Sequence, residues 1–172
     1  HRLLLLLAAL AFASANVSAQ VTAIRAGRLV DPEAGTAAEN QVILVEGGKI
    51  KAVGRGLNIP AGAAVIDLSR STVLPGLFDA HTHLCMSVNM ERDAGNYFYT
   101  TLRDPDSYRS LQGAANGRAM LEAGFTTVRD VGNEGNHACT SLRRAIEGKL
   151  VVGPTVINAG RIIAPLGGQF HL

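Results

Sequence analysis

The sequence predicts an α/β chain in two parts, a small all-β unit over residues 20–72 and parallel βαβ units over residues 73–172. Three observations lead there. Residues 20–72 hold short runs of alternating apolar residues cut apart by Gly and Pro, the mark of strands joined by turns. From Val73 onward, strand-like runs alternate with stretches of helical period, which argues for a parallel sheet with crossover helices. Gly is abundant at 19 residues while aromatics make up 5%, a balance that suits a loop-rich α/β chain better than a helical bundle. At 172 residues, 47% of them hydrophobic, the chain suffices for one medium domain, or for a small one with part of another.

Taken in order, "HRLLLLLAALAFASANVSAQ" reads as the remainder of a secretory signal. Arg2 is a basic stub, Leu3 to Ala13 an apolar run, and "VSA" before Gln20 a cleavage site ending at Ala19. The run is short for a bilayer span. The expectation is a signal peptide over residues 1–19 and an exported protein, periplasmic or extracellular, with no membrane span after cleavage. A buried N-terminal helix or an uncleaved anchor is the alternative. "VTAIRAGRLVD" is the first strand, and "QVILVEGGKIKAVG" places Gly47-Gly48 between two alternating runs, a hairpin signal. "AAVIDLSRSTVL" closes the unit, which is expected to hold four to six strands and to be too small for a secure core of its own.

The next strand lies in "VLPGLFDAHTHL", Val73 to Leu84, with Leu77, Phe78 and Ala80 expected to be buried. Met90 to Asp104 is expected to be irregular. Asp104-Pro105 then predicts a helix start, with Asp as N-cap and Pro in the first turn. Tyr108, Leu111, Ala115 and Ala119 recur at helical spacing, and Gly124 stops the helix. "FTTVRDVG" is the second strand of this part, Ala138 to Glu147 the second helix, and "PTVINAG" the third strand. In parallel units the chemistry gathers at the C-terminal ends of strands. His81, His83, Arg129, Asp130 and the loop after Asn158 all fall there.

Residues two apart in a strand point to one side, so His81 and His83 would present both imidazoles to the same place. Imidazole suits zinc and similar divalent ions. The HxH pattern alone is weak in a chain with five histidines. Two solvated histidines on a surface strand, or core histidines satisfied by backbone, are the competing readings, and the apolar run beside the pair speaks against the first. Sixteen basic and fourteen acidic residues form no basic stripe, so nucleic acid is not implied as a partner. Cys85 and Cys139 have no CxxC spacing and do not form a zinc motif. They could pair in an oxidising compartment, although a small buried free thiol is the reading favoured for Cys85.

Three blocks carry more than the histidine pair does. "IDLSRSTVLPGLFDAHTHL", with "EGGKIKAVG" upstream and "AMLEAGFTTVRDVGN" downstream, resembles the metal-dependent amidohydrolase superfamily in the family's own order, over most of residues 46–133. The similarity is greatest to its imidazolonepropionase-related and Xaa-Pro dipeptidase-like (prolidase-like) branch. The resemblance implies a small β-sandwich over residues 20–72 beside a (β/α)8 barrel that begins at residue 73. It also implies one or two divalent ions, usually zinc, bound by His81 and His83 at the end of the first barrel strand. Further ligands in the family come from later strands: a Lys or Glu, two more histidines, and an Asp that moves the proton. No position here matches them. A barrel of this kind takes ~250 residues, so residues 73–172 are expected to be about its first three βα units, an N-terminal fragment predicted to be inactive alone. The implied reaction is hydrolysis of a C–N bond by metal-activated water. The preferred substrate is a small peptide or N-acyl amino acid, with a cyclic amide of the imidazolonepropionase kind, or a non-catalytic truncated homologue, as alternatives. A homo-oligomer is compatible with the sequence.

Other residues read less sharply. Asp79, two before His81, would share the histidines' face and could orient an imidazole, or be an ordinary buried carboxylate. Arg129 could bind a substrate carboxylate, but a structural ion pair is the favoured reading. His137, at a helix start, reads as a surface residue. His171 could line the pocket, though a lone loop histidine is more often solvated. "EGGK" is no phosphate loop, because it lacks the leading Gly and the following Ser or Thr.

Overall fold

The computed structural model describes residues 20–132 and 137–166; the expected signal peptide and His171 lie outside the described residues. The chain divides into two compact units at Pro75/Gly76.

The first unit is a four-stranded sheet in the order β3-β2-β1-β4. Its strands are β1 (Thr22–Asp31), β2 (Thr36–Glu46), β3 (Lys49–Arg55) and β4 (Ala64–Val73). β1 runs antiparallel to β2 and parallel to β4, so the first strand lies inside the sheet. The β2–β3 hairpin turns at Gly47-Gly48, where both residues have positive φ, 58° and 74°. A two-residue turn with φ > 0 at both central positions matches the right-handed twist of the strands, and glycine adopts it without a Cβ clash. Ala23, Ala26 and Ile43 are the buried apolar residues of this unit. The described residues form one sheet here, not the two layers of a sandwich.

The second unit has a parallel sheet in the order β5-β6-β7: β5 (Leu77–Thr82), β6 (Phe125–Asp130) and β7 (Thr155–Asn158). Helices α1 (Met90–Asp93), α2 (Tyr97–Arg103) and α3 (Asp106–Glu122) lie between β5 and β6 in the chain, and α4 (Ala138–Glu147) between β6 and β7. Leu84, Cys85, Val128, Ala138, Cys139, Leu142 and Val156 form the core between strands and helices.

Several local expectations change. The stretch from Met90 to Asp104 holds two short helices, each opened by an Asn side chain, Asn89 or Asn96, that accepts backbone N–H groups. Asp104 does not cap α3; it ends α2, its carboxylate bonds to Arg92, and α3 begins after Pro105 without a side-chain cap. The stripe Tyr108, Leu111, Ala115 and Ala119 is the exposed side of α3, while Arg109, Gly113 and Gly117 are buried. Glycine at 113 lets the helix approach closely: a Cβ there would sit 2.5 Å from Cys85 Sγ and 3.0 Å from Leu142 Cδ2. Leu77 and Phe78, expected to be buried, are 44% and 56% exposed, and Ala80 is exposed too. Among the described residues, β5 has a strand neighbour on one side only, and the helices cover one face of its sheet.

Candidate functional site

The site is the C-terminal end of β5. His81 and His83 stand there with ring centroids 5.5 Å apart and ring planes inclined at 69°. His81 is exposed and His83 half-buried. His83 Nδ1 lies 2.6 Å from the carbonyl oxygen of Gly132. A carbonyl only accepts, so Nδ1 carries the proton and, in the neutral ring, Nε2 carries the lone pair.

The strand ends are tied together by a buried carboxylate. Asp130 is fully buried; its Oδ2 accepts the N–H of Leu84 at 2.8 Å and its Oδ1 the N–H of Gly132 at 3.1 Å. One side chain thus ties the segment after His83 to the residue whose carbonyl meets His83. From α3, Asn116 donates to Leu84 O at 2.8 Å and to Ser87 Oγ at 2.9 Å. A cavity of about 370 Å³ lies between the end of β5 and α3, lined by Asp79, Thr82, His83, Leu84, Asn116, Ala119 and Met120.

Cys85 and Cys139 are joined by a disulfide, with Cα atoms 5.7 Å apart. This corrects the free-thiol expectation. The segment after β5 and the first turn of α4 meet in the core, and that proximity, within the span a disulfide allows, is invisible in sequence spacing. Cys139 Sγ also lies 3.1 Å from Asp130 Oδ2.

The register of β5 against β6 corrects the reading of Asp79. Asp79 pairs with Val128 and Thr82 with Asp130, three steps along β5 against two along β6, so β5 bulges between them. Residues in register on neighbouring strands share a face, and Val128 and Asp130 are the buried residues of β6. Asp79 and Thr82 therefore belong to the helix-covered face, and His81 falls on the opposite one. Arg129 forms no ion pair among the described residues; its Nε donates to Ala80 O at 2.7 Å. His137 is exposed at the start of α4, as expected. Among the described residues, no third His, Cys, Asp or Glu joins His81 and His83 in a group able to hold a metal. The sequence reading missed the Gly132 carbonyl and the role of Asp130, because side-chain pattern does not mark a backbone acceptor; the Asp in "VRDVG" was the only available cue.

A model of the amidohydrolase family matches residues 72–164, more than half of the chain. The chain belongs to the amidohydrolase family. A dihydroorotase of Geobacter sulfurreducens is 38% identical over 105 residues, which cover 61% of this chain and 20% of that protein. Among solved structures, a Xaa-Pro dipeptidase with bound methionine in the active site superposes with a TM-score of 0.71 at 28% identity, over 88% of this chain and 36% of its own. A prolidase complexed with N-methylphosphonate-L-proline gives 0.67 at 30% identity, over 82% and 32%. The chain thus spans about a fifth to a third of the length of the relatives it matches. These amidohydrolase relatives include enzymes acting on amide or peptide bonds, and the superfamily generally uses divalent metals.

Proposed function

We propose that the protein carrying this chain is an exported metal-dependent amidohydrolase that hydrolyses a C–N bond in a small peptide or N-acyl amino acid. The observation that carries the reading is the pair His81 and His83, side by side at the C-terminal end of a parallel strand. Two imidazoles bound to one zinc through Zn–N distances of about 2.0–2.1 Å have ring centres roughly 5 Å apart. The observed ring-centre separation of 5.5 Å is close to that value. His81 and His83 would hold the ion, and Gly132 O would keep the His83 proton on Nδ1, leaving Nε2 for the metal. When bound, such an ion supplies a nucleophilic water at neutral pH and polarises the scissile carbonyl. Two protein ligands are fewer than the three of a catalytic zinc site, so further ligands must come from outside the described residues.

In this reading β5, β6 and β7 are the first strands of a (β/α)8 barrel and β1–β4 belong to a small β-sandwich; the likeness to the dipeptidase over 88% of the chain supports it. Export rests on the N-terminal pattern, and the Cys85–Cys139 disulfide suits an oxidising compartment. A cyclic-amide substrate is the second reading, favoured by the curated relatives named dihydroorotase.

The test is metal analysis of the complete gene product together with hydrolysis of Xaa-Pro dipeptides, N-acyl amino acids and dihydroorotate. One or two divalent ions per chain and dipeptide turnover are expected, both lost in His81→Ala and His83→Ala. Turnover of dihydroorotate alone selects the second reading. Turnover that survives the double histidine variant overturns the metal assignment.

A further inference from the structure

We propose that Asp79 and Arg129 are positioning residues that hold the β-bulge at Ala80–His81, and that this bulge aims the two histidines. The inference rests on the metal reading above and adds how its two ligands are oriented. Had β5 continued its alternation from Asp79, His81 would share a face with Asp79, against the helices. The register forbids this, because three residues of β5 span two of β6. β6 itself pairs with β7 without a shift from Thr127 to Asp130, so the extra residue belongs to β5. One inserted residue reverses the side to which every later side chain points. It moves His81 off the helix-covered face, where its ring stands 5.5 Å from that of His83.

A bulge leaves ladder groups of its own strand without cross-strand partners. Here side chains take those places. The N–H of His81 donates to Asp79 Oδ1 at 3.0 Å, and the carbonyl of Ala80 accepts from Arg129 Nε at 2.7 Å. Thr82 Oγ1 donates to Arg129 O at 3.1 Å, closing the far side of the bulge onto the same residue of β6. The peptide between Ala80 and His81 is thus gripped at both of its polar atoms, one by a residue of β5 and the other by a residue of β6. Without these contacts the strand can relax toward regular pairing, which turns the histidines onto the face of Asp79, against the helices. Asp79 reaches the bulge through a carbonyl-type oxygen only, so Asn can replace it and Ala cannot.

The experiment measures metal affinity by chelator competition with Zn²⁺ on the complete gene product, in Asp79→Ala, Asp79→Asn, Arg129→Met and His81→Ala, with the apo-protein melting temperature recorded for each. Groups that orient metal ligands change affinity by about 10–100-fold. The expected result is a loss of that size in Asp79→Ala and Arg129→Met, near-native affinity in Asp79→Asn, and little change in apo melting for Arg129→Met. If His81→Ala abolishes binding while Asp79→Ala and Arg129→Met bind as the native protein does, the bulge inference is overturned and the metal reading survives. If His81→Ala binds Zn²⁺ as tightly as the native protein, both fall together.

Discussion

A methyl group at position 113 would meet the Cys85 sulfur at 2.5 Å and the Leu142 side chain at 3.0 Å. Alanine is the better helix former by about 1 kcal/mol, yet in this place the overlap decides. Gly113→Ala is expected to destabilise the chain by roughly 1–3 kcal/mol, the usual cost of overpacking; a urea midpoint equal to or above the native one would contradict the close approach of α3. The sequence does not reveal this, because a helix-internal Gly reads only as a weak point in the periodicity. The same limit hid the Cys85–Cys139 bond and the Gly132 carbonyl beside His83. His81 and His83 were legible since HxH names its own ligands. The contacts that tie their strand end to β6 were not, because His83 with Gly132, Leu84 with Asp130 and Ala80 with Arg129 join residues 46 to 49 positions apart.

At the scale of elements, strand positions followed from alternation and turn residues, while faces and registers did not. Leu111 and Ala115 recur at helical spacing, but α3 buries Arg109, Gly113 and Gly117 instead, and the two glycines let it approach Cys85, Leu142 and Pro154. Polar side chains hold α1 and α2 together. Asp93 is buried at the end of α1 and meets Arg92 at 3.0 Å and Arg103 at 3.7 Å, while Arg92 also bridges to Asp104 at 3.1 Å. Burial alone would raise the Asp93 pKa, but the bonds from Arg92, the Asn89 N–H and the charge of Arg103 outweigh it and hold the carboxyl below its ordinary value of 3.8. A carboxyl whose pKa is lower folded than unfolded stabilises the fold fully above the unfolded value, and the effect fades as pH falls below it. Asp93→Asn should therefore be less stable than the native chain at about pH 7, with the gap narrowing by about pH 3. Urea midpoints at the two pH values measure it; a gap independent of pH would assign the loss to packing.

For the molecule as a whole, the α/β class and the order of strands and helices were readable, but how far each sheet is covered was not. In the second unit β5 and β7 form the two edges of a three-stranded sheet among the described residues. Phe78 and Ile157, 56% and 51% exposed, lie on the face away from the helices, as their pairing with Thr127 and Arg129 requires. Open edges beside an apolar face favour association between copies. The 172-residue chain alone should run above its 18.0 kDa monomer mass in light scattering, increasingly with concentration. A longer chain that covers that face should not. A strictly monomeric chain at every concentration would mean that the sheet is covered by residues of the chain outside those described.

The interior place of β1 would limit where a leader ahead of it could be cut. Val21 O accepts the N–H of Ala64, and Thr22 to Ala26, Arg28 and Leu29 each pair with both β2 and β4. A leader peptidase cutting after Ala19 would leave only Gln20 ahead of that first bond. Further nibbling by an aminopeptidase would begin to unzip the centre of a sheet, not fray its border. If the N-terminal segment is removed as a leader, the cut that keeps this bond therefore falls no later than before Val21.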